Sequence, residues 1–287
     1  MARIGVIGGS GLYELEGLTD VREVRVDTPF GPPSDALITG RLGDAELVFL
    51  PRHGRGHRLT PSAVPYRANI WALKQLGVGW VLSVSAVGSL REDIAPGHLV
   101  VVDQFIDRTR GRPSTFFGDG CVAHVQFGDP VCPTLRGMLV DAARAAGGVV
   151  HDGGTYVCME GPAFSSRAES NLYRSWGASV IGMTNLPEAK LAREAELSYA
   201  TLALSTDYDC WRVGHEEVSV EAVVATIHAN VALARRVIAE IVPRVLAHGG
   251  PPPMADALRH AILTAPDAIP TATRARLDLL IGRHLPG

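Results

Sequence analysis

The sequence predicts an α/β fold: a single domain with a central mixed β-sheet flanked by helices, layered as a three-layer sandwich. Three observations predict it. Short apolar runs alternate with longer amphipathic segments along most of the 287 residues. Several of the short runs are unbroken Val/Ile/Leu stretches, the pattern of strands covered by helices on both faces. Finally, 46% apolar and 20% charged residues exclude a disordered chain and leave enough apolar surface for a large core.

In chain order, strands are expected at Arg3–Ile7, Glu46–Leu50, Trp80–Ser85, Leu99–Asp103, Thr155–Met159, Ser179–Thr184 and Tyr199–Thr206. Helices are expected at Tyr66–Leu76, Thr134–Ala146, Arg167–Trp176, Glu188–Glu196 and Val220–Leu246. Pro187 suits a first helical turn, and Gly147 suits a helix stop. No internal repeat is visible. The composition changes at His248, where Gly249-Gly250-Pro251-Pro252-Pro253 cannot continue a helix. Residues 1–248 are therefore expected to form the domain. Residues 249–287 are expected to be a linker and an Ala/Arg-rich C-terminal extension of one or two short helices, an appendage and not a catalytic unit.

A net charge of −3 argues against a nucleic-acid partner held by bulk electrostatics. Lys74 and Lys190 are the only lysines, and neither lies in a glycine-rich loop, which excludes a P-loop NTPase. Cys121, Cys132, Cys158 and Cys210 form no C-x-x-C pair, as expected for reduced thiols and not for a disulfide framework or zinc site. The first residues lack the basic and apolar regions of a secretory signal. No apolar stretch reaches the ~18 residues of a membrane span. A soluble, cytoplasmic protein without a membrane partner is expected.

Five segments at strand ends can carry chemistry. Gly8-Gly9-Ser10-Gly11 can turn backbone N–H groups and the Ser10 hydroxyl toward an anion, although the segment alone favours an ordinary tight turn; Glu14 breaks the dinucleotide fingerprint. Arg52-His53 opens a basic loop that suits phosphate or carboxylate, or merely faces solvent. His53 and His57 are spaced like a metal pair, but the glycines between them oppose a helix and no third ligand is apparent. Ser83–Ser89 ends a buried strand in small polar residues, either a ligand-binding end or a cap. Gly182-Met183-Thr184-Asn185 ends another strand, with Met183 free to be core. In Ser205–Trp211, Asp207 and Asp209 can bind metal, cap a helix or hydrogen-bond a heterocycle; mutual charge and apolar surroundings would raise one pKa, as a general acid requires. Together, Ser10, Arg52, His53, Ser85 and Thr184 are neutral or cationic donors at strand C-termini. They can converge on one tetrahedral anion, most simply inorganic phosphate, leaving the two aspartates for a neutral group.

These residues carry a resemblance. The stretches IGVIGGSGLYELEGL, DTPFGPPSDALITG, RHGRGH, YRANIWALKQLG, SAVGSLREDIAPG, VVDQFIDRT, EGPAFSSRAES, GMTNLPEAKLAREAELSYA and STDYDCW, in this order from about Arg3 to about Leu246, resemble the 5′-methylthioadenosine phosphorylases of the trimeric purine nucleoside phosphorylase class. The resemblance implies phosphate binding by Ser10, Arg52, His53, Ser85, Ala86 and Thr184. It implies a ribose contact at Met183 and purine recognition by Asp207 at N7 and Asp209 at the exocyclic amine. Phe164 would pack on the base, and Ser165 and Val220 would tune specificity. Val220 with Val224 would line an apolar methylthio pocket, and His124 would be contributed across a homotrimer interface.

The implied reaction is phosphorolysis of methylthioadenosine to adenine and 5-methylthioribose 1-phosphate, with phosphate as co-substrate and no metal or redox cofactor. A purine nucleoside phosphorylase accepting adenosine, inosine or guanosine is the alternative. There are departures. Ala163 stands where the family often has arginine, Gly182 stands where some relatives have a bulkier polar residue, and the segment after His248 aligns with none of the family motifs.

Overall fold

The computed structural model describes residues 2–212 and 220–285, excepting the side chains of residues 10, 220–225, 227 and 228. The apolar runs become β1 (Arg3–Gly8), β4 (Ala45–Pro51), β5 (Trp80–Ser89) and β11 (Ser198–Asp207), all parallel neighbours and almost wholly buried. Between and beyond them run β2 (Thr19–Val24), β3 (Leu37–Leu42), β6 (Leu99–Val101), β7 (Gln104–Arg108), β8 (Val150–Asp152), β9 (Thr155–Met159) and β10 (Val180–Gly182). Together these strands form one mixed sheet, as expected. The order is β2-β3-β4-β1-β5-β10-β9-β7, with β11, β6 and β8 branching from β5.

That branch matters for function. The first half of β5 lies between β1 and β11, whereas its last residues, Gly88 and Ser89, pair antiparallel with Ile181 and Val180 of β10. The sheet therefore opens where β1, β4, β5 and β11 all end, and Gly8, Arg52, Ser85 and Asp207 are delivered to that opening. Openings of this kind, outside strand carboxyl ends, are where α/β sheets hold ligands.

Helices cover both faces. Helices α1 (Tyr66–Gln75) and α4 (Asn185–Glu194) pack against each other over one face, where Ile70, Trp71, Leu73, Ala189 and Leu191 share a core with Val81 and Tyr199. Helices α2 (Pro133–Ala145) and α5 (Val220–Ala247) pair over the other, around Leu135, Leu139, Val237, Ile241, Leu82 and Leu202. Helix α3 (Arg167–Ser175) starts with a capping box, Ser166 and Glu169 each bonding the other's backbone N–H. In α4 the second residue, Leu186, is extended (φ −123°, ψ 135°), so regular helix begins at Pro187. Gly147 closes α2 at φ 83°. The expected strand at 179–184 is shorter, because Thr184 caps α4 and leaves the sheet.

The C-terminal residues pack on the domain. Leu258, Ala261 and Ile269, with Leu277, Leu280 and Ile281 of α6 (Thr271–Ile281), join the core that holds Trp71, Phe116 and Cys121. Among the described residues no helix is long and apolar enough to cross a membrane.

Candidate active site

The sheet opening gathers its polar groups in three layers. In the deepest, Arg52 is 3% exposed. Its Nε and Nη2 donate to the two oxygens of Glu188, 2.7 and 3.0 Å. Nη2 also donates to Ser83 Oγ, and Nη1 to the Val84 carbonyl. Burial works against the guanidinium charge, but the Glu188 carboxylate outweighs it and holds the pKa above its ordinary value. Glu188 accepts further hydrogen bonds from Ser83 Oγ and the Tyr199 hydroxyl. The guanidinium expected to grip an anion is thus a neutralised structural pair, with one Nη1 hydrogen left over.

His53 also departs from the expected donor role. Burial, then the Arg52 charge, lowers its pKa to about 4. Nδ1 faces the Leu59 carbonyl at 2.8 Å, which assigns the proton to Nδ1 and leaves Nε2 as an acceptor. Its ring stacks on His57, centroids 4.3 Å apart, so the two imidazoles do not splay around a shared ion. Among the described residues, no three His, Cys, Asp or Glu side chains gather as a metal site.

The second layer is neutral. Ser85 is buried and its Oγ lies 3.3 Å from the Tyr156 hydroxyl. Thr184 is buried at the N-terminal end of α4, and its side chain makes no capping bond. Met183 follows β10 and is fixed by its own carbonyl, which accepts from Arg112 Nη1 at 2.7 Å. Gly161, at φ 66°, lets the Met183 thioether lie 2.5 Å from where a Cβ would stand. Arg112 was not singled out in the sequence, since it lies in a Gly/Pro-rich loop that reads as solvated. It is buried and also donates to the carbonyls of Leu186 and Glu160 and to the Tyr66 hydroxyl.

The third layer is acidic. Asp207 and Asp209 flank Gly88, where a Cβ would come within 3.0 Å of Asp207 Oδ1 and 3.2 Å of Asp209 Cβ. Asp207 Oδ2 accepts from Thr206 Oγ1 and Oδ1 from the Asp209 N–H, both 2.7 Å. Burial nevertheless raises its pKa. Burial, and then the charge of Asp207, raises that of Asp209 as well. Asp209 Oδ2 is buried, with the Ser170 hydroxyl of α3 as a hydrogen-bonding neighbour that partly offsets the rise. Nearby, Ser165 is tied to both strand ends: its Oγ donates to Met159 Sδ and its carbonyl accepts from Cys210 Sγ. Arg167 of α3 donates to the Cys210 carbonyl, so an arginine does reach this segment although Ala163 replaces the family's own.

Further expectations concern Phe164, His124, Ser10, Val220 and Val224. Phe164 is 53% exposed. His124 is exposed and lines a cavity of about 800 Å³ with Arg193, Asp256 and His260; that cavity shares no residue with the layers above. The backbone of Ser10 starts a 3-10 turn after β1, but its side chain, with those of Val220 and Val224, lies outside the described residues.

A parallel-sheet opening with donors on one side and buried carboxyls on the other defines a class before it defines a substrate. Residues 3–247 match the phosphorylase superfamily, and the chain belongs to that family. Among curated proteins it is similar to S-methyl-5′-thioadenosine phosphorylase of Geobacter sulfurreducens, 62% identical over 98% of this chain and 99% of the relative. The enzyme of the same description from Thermosynechococcus vestitus is 59% identical over 99% of each. Of the solved structures, a methylthioadenosine phosphorylase from an antarctic soil metagenomic library superposes with a TM-score of 0.93 at 50% identity, over 97% of this chain and 98% of that one. A point mutant of the adenosine/methylthioadenosine phosphorylase of Schistosoma mansoni, in complex with adenine, gives 0.83 at 41%, over 86% and 93%. The two curated relatives run well beyond residue 247, so most of the C-terminal segment has a counterpart that the family motifs did not supply.

Proposed function

We propose that this protein is a pentosyltransferase that cleaves S-methyl-5′-thioadenosine with inorganic phosphate, releasing adenine and 5-methylthio-α-D-ribose 1-phosphate. The C1′–N9 bond breaks and a C1′–O bond to phosphate forms, with positive charge building on the ribose between the two events. Phosphate sits against Ser10, Ser85, Ala86, Thr184 and the Arg52-His53 corner, where it stabilises that charge and attacks. Arg52 acts there chiefly by shaping the corner, since Glu188 holds its guanidinium. Met183 packs on the ribose. Adenine leaves poorly as an anion, so Asp207, its pKa raised by burial, delivers a proton to N7; such acid catalysis contributes about 10²–10⁴-fold.

The observation that carries the reading is the pair of buried carboxyl groups, with Asp209 beside that acid. An exocyclic amine donates to the Asp209 carboxylate, whereas a 6-oxo group would face it lone pair to lone pair. Phe164 and Ser165 close on the base, Val220 and Val224 on the methylthio group, and His124 reaches a neighbouring protomer's pocket in a homotrimer. Residues 1–248 form the catalytic domain and 249–287 an extension. The enzyme uses no cofactor and resides in the cytoplasm. Adenosine is the second nucleoside to assay, because the Schistosoma mansoni relatives are named for both substrates.

The test is Asp209→Asn, compared with the parent on methylthioadenosine and methylthioinosine with and without phosphate. The ratio of kcat/KM values is expected to move toward the 6-oxopurine by about 10- to 100-fold, the size of one hydrogen bond to a charged group. An unchanged ratio, or turnover without phosphate, overturns the proposal.

A further inference from the structure

Tyr156, on β9, is fully buried and packs edge-on against Phe105, centroids 5.7 Å apart. Its strand runs beside β10, with Cys158 opposite Gly182. The Tyr156 ring reaches past that neighbour to the sheet opening. A Cβ built on Gly182 would stand 2.0 Å from the Tyr156 hydroxyl oxygen and 2.6 Å from Cζ. Both atoms belong to a buried ring without room to retreat, so no residue with a side chain fits at 182 while Tyr156 holds this place. The departure at Gly182 and the tyrosine on the neighbouring strand are therefore one feature. The hydroxyl occupies the volume that a polar side chain at 182 would otherwise fill.

The Tyr156 oxygen lies 3.3 Å from Ser85 Oγ, and either hydroxyl of the pair can donate to the other. A phenol has one proton to give. When the phenol gives it to Ser85 Oγ, an acceptor site of Ser85 is filled, and among the described residues its other acceptor, the Ala86 carbonyl, is distant at 3.5 Å. Its hydroxyl hydrogen is left for an incoming oxyanion. We infer that Tyr156, admitted by Gly182, is a positioning residue that turns the Ser85 hydroxyl into an obligate donor to phosphate. In that arrangement the protons run from Tyr156 O–H to Ser85 and from Ser85 O–H to the anion. The inference rests on the phosphate site proposed above and adds a residue that acts on it through Ser85.

The experiment is a cycle of Tyr156→Phe and Ser85→Ala, each variant assayed for phosphate KM, nucleoside KM and kcat, with thermal unfolding alongside. Tyr156→Phe is expected to raise phosphate KM about three- to tenfold, the range of one neutral hydrogen bond, with nucleoside KM unchanged. In the Ser85→Ala background it is expected to change phosphate KM no further. If Ser85→Ala leaves phosphate KM unaltered, the phosphate site itself is misplaced. If Ser85→Ala raises it and Tyr156→Phe does not, or does so equally in both backgrounds, only the role of Tyr156 fails. Should Tyr156→Phe not fold, Tyr156→Met, unbranched and without the hydroxyl, carries the same expectation, and an unchanged phosphate KM in that variant also overturns the inference.

Discussion

Replacing Glu188 by glutamine isolates what holds the anion corner together. The carboxylate is 2% exposed and receives Arg52 Nε at one oxygen, with Arg52 Nη2, Ser83 Oγ and the Tyr199 hydroxyl at the other. A glutamine carbonyl can keep the three donors at Oε1. Its amide then points N–H groups at Arg52 Nε–H, donor against donor, and the guanidinium loses its counter-charge in a buried place. Losing one charge-assisted bond costs about 1.5–3 kcal/mol, whereas stranding a buried charge costs about 3–5 kcal/mol. The second effect dominates and sets the expectation for equilibrium urea unfolding, read at neutral pH and fixed protomer concentration because assembly shifts apparent stability. Removing both partners, as Arg52→Met with Glu188→Met, removes the stranded charge, so the double variant is expected to lose less than the sum of the singles by about 3 kcal/mol. A loss below about 1 kcal/mol for Glu188→Gln, or strictly additive losses, refutes the reasoning. Phosphate KM should rise in the single variant as Arg52 swings from its place, with nucleoside KM following less.

Two further outcomes are expected. Asp207→Asn should lower kcat on methylthioadenosine by about 10²–10⁴-fold while the protein still unfolds at the parent temperature; full turnover in a product-release assay removes Asp207 as the acid. Glu194, pushed up to about 7 by burial, binds a proton more tightly folded than unfolded, so its contribution to stability is complete below the ordinary glutamate pKa and is lost as pH rises through about 7. Urea unfolding should show that loss, of about 1–3 kcal/mol, and Glu194→Gln should flatten it; identical pH profiles for the two proteins refute the assignment.

The strands that build the opening are legible because burial on both faces forces continuous apolar runs, and β1, β4, β5 and β11 carry them. β2 is invisible for the opposite reason: TDVREV is exposed along nearly its whole length and holds its place through backbone pairing with β3, which leaves no side-chain pattern. β8, with three residues, is too short for any period. The polar residues of the site follow the same logic. Ser85, Thr184 and the two aspartates are legible because they stand where an apolar run stops. Glu188 and Tyr156 are not, since their meaning depends on partners set by the sheet order: Arg52 lies 136 positions from Glu188, and the collision with Gly182 exists only once β9 and β10 are neighbours.

The C-terminal segment shows how far this extends. Its proline run reads as a boundary, and a helix as short as α6 is marginal alone, yet Leu277, Leu280 and Ile281 follow one helical face into the core. Polar contacts then fix it: Glu196, just past α4, accepts from the Leu258 N–H and from Arg283 and His284. Two residues earlier, Glu194 accepts from Thr115 and the Phe116 N–H, on the loop that carries Arg112. Helix α4 is therefore held at both ends, by Arg52 through Glu188 near its start and by the loop and tail at its finish. A rotation of that helix would move Thr184 at its N-terminal end together with the Met183 carbonyl that Arg112 grips. The tail thus supports the proposed phosphate corner through the rigidity of one helix.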